Sequence, residues 1–504
     1  MDQRTPAVPA ASSASTASAV SAAPFITAAP LVTTATATAT VLALLLLVGC
    51  TAADHGTPGA AGVGDRYFPR LGNGGYDVQH YGLELDYAPS TGRLKGTAEI
   101  TARATQDLSA FNLDLAGMTV DSVTVGGEKA TVHRAGTELT LRPRAGLTRG
   151  DTFRTVVRYS GVPRRITDPD ESHEGWLRRG DRAVGLGEPT GSMAWFPGNH
   201  HPSDKASYDI RITVPEGVKA ISNGELRSER TSAGRTAFAW HSAEPMASYL
   251  ATVAIGPYRT NEVKGKQGTN GVKGAKTPKG QAVVPVVPLY TAVDPAVAGD
   301  GAELLAELPG IIEWETKTFG PYPFSSAGVI IGREDDSEYA LETQTKPFLP
   351  GPTSVGTLVH EVAHQWFGNS VTPKSWQDMW LNEGFAEYAE WLWGEHSDGI
   401  PVQRSFDEAY GDDDNWAFPP ARPPSAANIS DSPVYGRGAM VLHRVRVAVG
   451  DAAFFRIVRG WLRTHRHGNV STDDFTAYVE KESGQDLRGV WDAWLYGDSK
   501  PTVI

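Results

Sequence analysis

From Tyr67 to about Tyr258, apolar and polar residues alternate with a period of two. In TAEITARA (Thr97 to Ala104) the apolar Ala98, Ile100, Ala102 and Ala104 are interleaved with the polar Glu99, Thr101 and Arg103. Successive side chains of a strand point to opposite faces, so this spacing predicts half-buried strands. FNLDL (Phe111 to Leu115) alternates likewise, and Gly-rich turns such as Gly126-Gly127 separate the runs. Residues 67–258 therefore read as an antiparallel β-sandwich or saddle. Beyond them the period becomes helical. ELLAELPGIIEWETKTFG (Glu303 to Gly320) sets Leu304, Leu305, Leu308, Ile311 and Ile312 on one face. Three closing helices are predicted to start at Asp451, Thr472 and Asp486, each an acceptable N-cap residue. The fold class is multidomain α+β, a β domain followed by a mainly helical one at 259–504. Between them VKGKQGTNGVKGAKTPKG (Val263 to Gly280) lacks apolar periodicity and reads as a solvated loop, with a basic patch as the alternative.

Composition changes this picture little. A chain of 504 residues with 40% hydrophobic and 21% charged content suits a soluble globular protein of two or three domains. Its 46 Lys+Arg against 58 Asp+Glu give a net charge of −12, which argues against a nucleic-acid partner. The first 66 residues differ, being Ala, Thr, Ser, Pro and Gly around one apolar run, VLALLLLVGC (Val41 to Cys50). That run is shorter than the roughly 20 residues a membrane-spanning helix needs. It ends in Leu47-Val48-Gly49-Cys50, which resembles a bacterial lipobox, and Cys50 is the only cysteine of the chain. The resemblance implies a signal peptide at 1–50, lipidation at Cys50 and a flexible Gly/Ala linker at 51–66. The mature protein is then expected outside the cytoplasm, held to the membrane through Cys50 or else secreted, and without a disulfide. A leader that is cleaved and lost is the alternative.

Candidate chemistry centres on VHEVAHQWFGN (Val359 to Asn369). His360 and His364, four residues apart, share one face of a helix and can present both imidazoles to one metal ion, with Glu361 beside them. A chain with 13 His has about 0.3 such pairs by chance, and about 0.04 with the acidic neighbour, so a third ligand decides the matter. MWLNEGFAEYAEWLW (Met379 to Trp393) supplies it in Glu383, 19 residues after His364, on a second amphipathic segment. Two antiparallel helices joined by a turn around Pro373 would bring Glu383 opposite the pair. Two His and a Glu with an open fourth position form the ligand set of a catalytic zinc, one Zn2+ per chain.

HEVAHQWFGN and WLNEGFAEY, with 18 residues between His364 and Glu383, resemble the zinc aminopeptidases of the aminopeptidase N type. These belong to the gluzincin metallopeptidases and are related to the leukotriene hydrolases. The metzincin pattern is excluded, because Phe367 and Ser370 stand where it requires Gly and His. Three further stretches match the family in order. EPTGSMAWFPGNHHPSDKASY (Glu188 to Tyr208) resembles the segment whose first residue anchors the substrate's amino terminus. YALETQT (Tyr339 to Thr345) occupies the place of the family's GAMEN strand, with Ala340 and Glu342 retained and Gly, Met and Asn replaced. SPVYGRGAMVLHRV (Ser432 to Val445) resembles the helix start that carries an oxyanion-stabilising tyrosine.

The resemblance runs from about Tyr76 to the C-terminus. It implies a thermolysin-like catalytic domain at 259–504, peptide substrates with a free N-terminus and removal of the first residue. Glu361 would serve as general base and acid on the water that zinc activates, and Tyr435 would stabilise the oxyanion. Glu188, Ala340 and Glu342 would bind the substrate, the two carboxylates gripping its ammonium. The alternatives are a zinc endopeptidase or epoxide hydrolase on the same scaffold, for which the altered YALET leaves room, and a non-catalytic peptide-binding protein. His200 and His201 could bind a second metal, but adjacent residues point apart, and a surface loop is the expected reading. Glu387 reads as an outer partner of the metal site or an exposed helix carboxylate, Asp412 to Asp414 as a solvated loop, and the Trp residues near Glu383 as core.

Overall fold

The computed structural model describes residues 56–263, 275–276, 282–283 and 287–502. Cys50 and the apolar run before it lie outside the described residues, as does most of the Val263 to Gly280 stretch. No described helix is long and apolar enough to cross a membrane.

The first half is built on an eight-stranded sheet. Its order is Glu225–Ser232, Arg235–Ala247, Lys205–Pro215, Tyr76–Ala88, Arg93–Ala104, Thr152–Gly161, Thr119–Val125 and Glu128–Lys129. Ala98, Ile100, Ala102 and Ala104 form the buried face their spacing predicts. In Tyr76–Ala88 the buried series passes from Tyr76 and Val78 to Tyr81, Leu83, Leu85 and Tyr87, because the register shifts between Val78 and His80. A bulge inserts one residue and exchanges the two faces. The alternation in FNLDL does not divide core from solvent: Phe111 to Leu115 are buried on both faces. Asn112 and Asp114 satisfy their polarity internally, Asn112 Nδ2 donating to Gly59 O at 3.1 Å and Asn73 Nδ2 to Asp114 at 3.1 Å.

A second sheet, ordered Arg165–Thr167, His173–Arg179, Arg182–Leu186, Val253–Gly256 and Lys219–Ser222, carries the chain to Glu188. Part of the expected linker is built into this half. Thr57–Pro58 pairs with the strand Leu108–Asp114, and Asp65 is buried. The Asp65 carboxylate receives the backbone N–H groups of Tyr67, Phe68 and Trp376 and the Ser375 hydroxyl, and meets His201 Nε2 at 3.3 Å. A composition of Gly and Ala indicates a spacer only where no side chain finds distant partners, and Asp65 finds them more than a hundred residues away.

The second half begins with a sheet ordered Arg259–Val263, Leu289–Val293, Ala327–Ile331 and Phe348–Leu349. Helix α1 (Ala298–Phe319) packs on it, burying Leu304, Leu308, Ile311 and Ile312 as predicted and leaving Leu305 half-buried. Six further helices follow: α2 (Val355–Ala363), α3 (Trp380–Ser397), α4 (Val402–Gly411), α5 (Gly438–Val449), α6 (Asp451–Thr464) and α7 (Thr472–Ser483). The cap of α7 is Ser471, one residue before the expected position, in a reciprocal pair with Asp474. After Asp486 the chain makes only the short helical turns Arg488–Val490 and Trp491–Leu495. Trp376, Trp380 and Trp391 are core, and Asp412 to Asp414 are exposed, as the sequence indicates.

Candidate active site

Ser354 caps α2 by accepting the Thr357 N–H, and Leu358, Val359, Val362 and Ala363 bury the apolar side of that short helix. His360 and Glu361 lie in its last turn and His364 at its C-cap. The rings of Phe367 and Phe385 stack at 4.2 Å and join the end of α2 to α3. Glu383, in the first turn of α3, thereby faces both histidines. Its Oε2 lies 3.2 Å from His360 Nε2 and 3.4 Å from His364 Nε2. A tetrahedral zinc with bonds of about 2.0–2.1 Å separates its ligand atoms by about 3.4 Å, so the three donors fit the ion the sequence suggested. Burial alone would raise the Glu383 carboxyl, but His364 and His360 hold it down at about 2, ionised as a ligand must be.

The outer nitrogens of both histidines are also held. His360 Nδ1 meets Glu390 Oε1 at 2.8 Å, and His364 Nδ1 meets Asn382 Oδ1 at 2.6 Å. Asn382, fully buried, donates its amide hydrogens to Glu342 Oε1 (3.0 Å) and Glu383 Oε1 (3.1 Å), tying the two glutamates together. Such partners fix the tautomer and the ring orientation. The sequence reading missed both residues. It singled out Glu387, which accepts the Trp391 indole N–H at 2.9 Å and brings a carboxylate oxygen within 4.8 Å of His360, while Glu390, two turns after Glu383 on the same face, makes the direct contact with His360.

Glu361 is 5% exposed, and its Oε2 has no hydrogen-bond partner among the described residues. Burial, working against the pull of His364 and His360, pushes its carboxyl up to about 8. Tyr435 belongs to a π-helical turn, Pro433–Arg437, that leads into α5, and its ring lies 6.0 Å from that of His360. Burial and the carboxylates of Glu383, Glu188 and Glu342 raise its phenol well above the ordinary value, so it remains a donor. Two glycines bring it there. A Cβ on Gly384 would stand 2.9 Å from Gly438 Cα, so only glycine at this crossing lets α5 approach α3 so closely. Arg437, fully buried, fastens the turn by donating to the carbonyls of Trp494, Phe418 and Gly497.

YALET is not a regular strand. Only Leu341 bridges to Phe348, and Thr345 has φ +71°. The carbonyl of Glu342 is claimed by side chains instead, accepting from Asn369 Nδ2 at 2.7 Å and Gln365 Nε2 at 3.3 Å. The flanks of the metal motif thus anchor the segment that lies where GAMEN would. Glu188, Glu342 and Glu383 each bring a carboxylate oxygen within 4.8 Å of the others. Burial and the charges of Glu342 and Glu383 push the Glu188 carboxyl well up. A cavity of about 390 Å³ contains these carboxylates with Ala340, Glu361 and Tyr435, and its outer wall includes Asp170 and Ser172. His200 and His201 take no part and lie in no surface loop. Both are buried: His200 contacts Ser248 Oγ and Phe196 O, and His201 meets Asp65, because Phe196 and the ordered Asp65 segment close over them.

Residues 351–494 match the Peptidase family M1 domain, and residues 77–250 match the Peptidase M1 N-terminal domain. The crystal structure of an M1 zinc metallopeptidase from Deinococcus radiodurans is 30% identical, covers 87% of this chain and 98% of its own, and superposes with a TM-score of 0.75. A glutamate-to-alanine mutant of that metallopeptidase, bound to a Tyr-Ser-Ala substrate, gives a TM-score of 0.76 at 29% identity, covering 87% of this chain and 98% of its own. Aminopeptidase N of Streptomyces lividans is 26% identical over 333 residues, 60% of this chain and 36% of that protein. The chain spans well under half the length of the curated relatives it matches.

Proposed function

The chain belongs to peptidase family M1, and we propose that it is a zinc aminopeptidase that removes the first residue of peptides bearing a free amino terminus. The observation that carries this reading is the cluster of Glu188 and Glu342 within 4.8 Å of Glu383. Buried carboxylates are costly without a cation, and a substrate ammonium supplies one. Within one residue the α-nitrogen and the carbonyl carbon are about 2.5 Å apart, and the next carbonyl carbon lies roughly 3–3.7 Å further. An ammonium held at Glu188 and Glu342 therefore favours placing the first carbonyl, and no later one, against the metal ligands.

His360, His364 and Glu383 would hold the zinc ion, which when bound supplies Lewis-acid chemistry, activating water and polarising the scissile carbonyl. Glu361 takes the proton of the attacking water on its unpartnered Oε2 and returns it to the leaving amine. The Tyr435 hydroxyl donates to the oxygen on which charge develops. Ala340 borders the first residue in the same cavity. The neighbour's mutant glutamate and its bound Tyr-Ser-Ala are in keeping with the role of Glu361 and with a short peptide substrate. The intact base and phenol tell against a purely peptide-binding protein.

The test is hydrolysis of aminoacyl arylamides by the purified chain before and after chelation. Activity that disappears with the chelator and returns with zinc supports the reading. Activity indifferent to metal removal, or none on any free-amine substrate, refutes it.

A further inference from the structure

Outside the metal site, two carboxyl groups meet behind the cavity wall. Glu174, in the strand His173–Arg179, is completely buried. Its oxygens receive the Thr190 N–H at 2.9 and 3.1 Å and the Thr190 hydroxyl at 2.6 Å. Thr190 stands two residues after Glu188. The next residue, Gly191, lies so close that a Cβ there would come within 2.7 Å of Glu174 Oε2. The Tyr339 hydroxyl, 3.4 Å from the Glu188 carbonyl, holds the same stretch from its other side.

Asp168 approaches Glu174 within hydrogen-bond reach. It is 6% exposed, and the Thr190 side chain lies beside it as well as beside Glu174. Two buried carboxyls in contact do not both ionise. Glu174 already has three donor contacts stabilising its anion, so the shared proton belongs on Asp168, whose carboxyl burial and the neighbouring Glu174 push up to about 10. As a neutral acid Asp168 can donate a hydrogen bond to Glu174 from one of its two oxygens. Asp168 also opens a tight turn, closed by its N–H to Ser172 O and by Glu171 N–H to its carbonyl, and that turn carries Asp170 and Ser172 into the cavity wall.

We propose that Glu174 is a positioning residue for the substrate's amino-terminal anchor, fixing Glu188 through Thr190, with Asp168 joining the Asp170–Ser172 turn to the same stretch. The proposal rests on the reading that Glu188 grips the substrate ammonium. Glu174 touches neither substrate nor reacting atoms, so its loss acts on KM before kcat.

The experiment measures KM and kcat separately for an aminoacyl arylamide, with zinc content, on the zinc-loaded full chain. Glu174→Gln replaces one acceptor oxygen by an amide donor that faces other donors. KM should rise about tenfold or more while kcat stays within about threefold and zinc content is unchanged. Asp168→Asn keeps a neutral donor at that position and should leave KM within about twofold. An unmoved KM in Glu174→Gln, a loss confined to kcat, or an Asp168→Asn as damaging as Glu174→Gln overturns the proposal. Should Glu174→Gln fail to fold, Thr190→Val, which removes only the hydroxyl contact, carries the test by raising KM; an unchanged KM overturns the proposal. A wild-type chain inactive on every free-amine arylamide defeats the aminopeptidase reading, whereas an active wild type whose KM is insensitive to Glu174→Gln defeats this inference alone.

Discussion

Replacing Asn382 by Leu should weaken zinc binding and kcat/KM together, although Asn382 is not a ligand. Its carboxamide meets His364 Nδ1 at 2.6 Å and donates to Glu342 Oε1 at 3.0 Å and Glu383 Oε1 at 3.1 Å, in a fully buried place. Leucine fills a similar volume but removes all three contacts, leaving two carboxylate oxygens short of a partner and His364 Nδ1 with only the Phe367 carbonyl at 3.2 Å. A buried polar group deprived of its hydrogen bond costs about 1–3 kcal/mol, more where it is charged. Part of that cost disappears as His364 and Glu383 relax, so about 1.4–2.8 kcal/mol remains against zinc, or a 10- to 100-fold weaker affinity. Chelator competition on purified wild type and Asn382→Leu measures this directly, and kcat/KM at saturating zinc, with the loss carried by KM, reports the misplaced Glu342. Zinc affinity within twofold of wild type would refute the reasoning, because the ligands would then orient themselves without Asn382.

Tyr435→Phe removes only the donor to the developing oxyanion, and kcat should fall about 100-fold or more with zinc content and KM nearly unchanged; a kcat within threefold contradicts that role. Burial alone would raise the Asp65 carboxyl, but hydrogen bonds from His201, Tyr67, Phe68 and Ser375 hold it well below the usual range. Its stabilisation is therefore complete above the unfolded carboxylate value of about 4 and is lost as the pH falls towards the lower folded value. Wild type should exceed Asp65→Asn in Tm at pH 7 and lose that advantage below about pH 4; a constant difference from pH 7 to pH 2 contradicts the assignment. For Cys50 we propose lipidation, and labelled palmitate should enter the wild-type chain in a bacterial host and be absent from Cys50→Ser; equal labelling would place the lipid elsewhere.

The parts of the molecule that were legible in the sequence are those set by local periodicity. The two-residue period of TAEITARA gave its buried face, and the four-residue spacing of His360 and His364 gave two of the three donors that cluster with Glu383. Glu383 needed one further step, the antiparallel return of a second amphipathic helix. Glu188, Glu342 and Tyr435 were reached only through family resemblance. They enter the site from a sheet end, an irregular turn and a π-helical turn, and no repeat along the chain brings those together. Partners set by long-range packing were misread or unseen. Asp65 is held by groups near residues 201 and 375, so its Gly/Ala context suggested a spacer. His200 and His201 are covered by that same segment and by Phe196. Asn382 stood beside a ligand without a spacing of its own, and Glu390 lay seven residues past Glu383, a helical spacing that went unused.

The central claim is that Glu188 and Glu342 limit cleavage to the first peptide bond by holding a free ammonium. The most direct measurement incubates the zinc-loaded chain with one hexapeptide and with its N-acetylated twin and follows both by mass spectrometry. The account predicts stepwise loss of single residues from the amino terminus of the free peptide and an intact acetylated twin. Cleavage of the acetylated peptide at internal bonds, at a rate comparable with that of the free peptide, would contradict it.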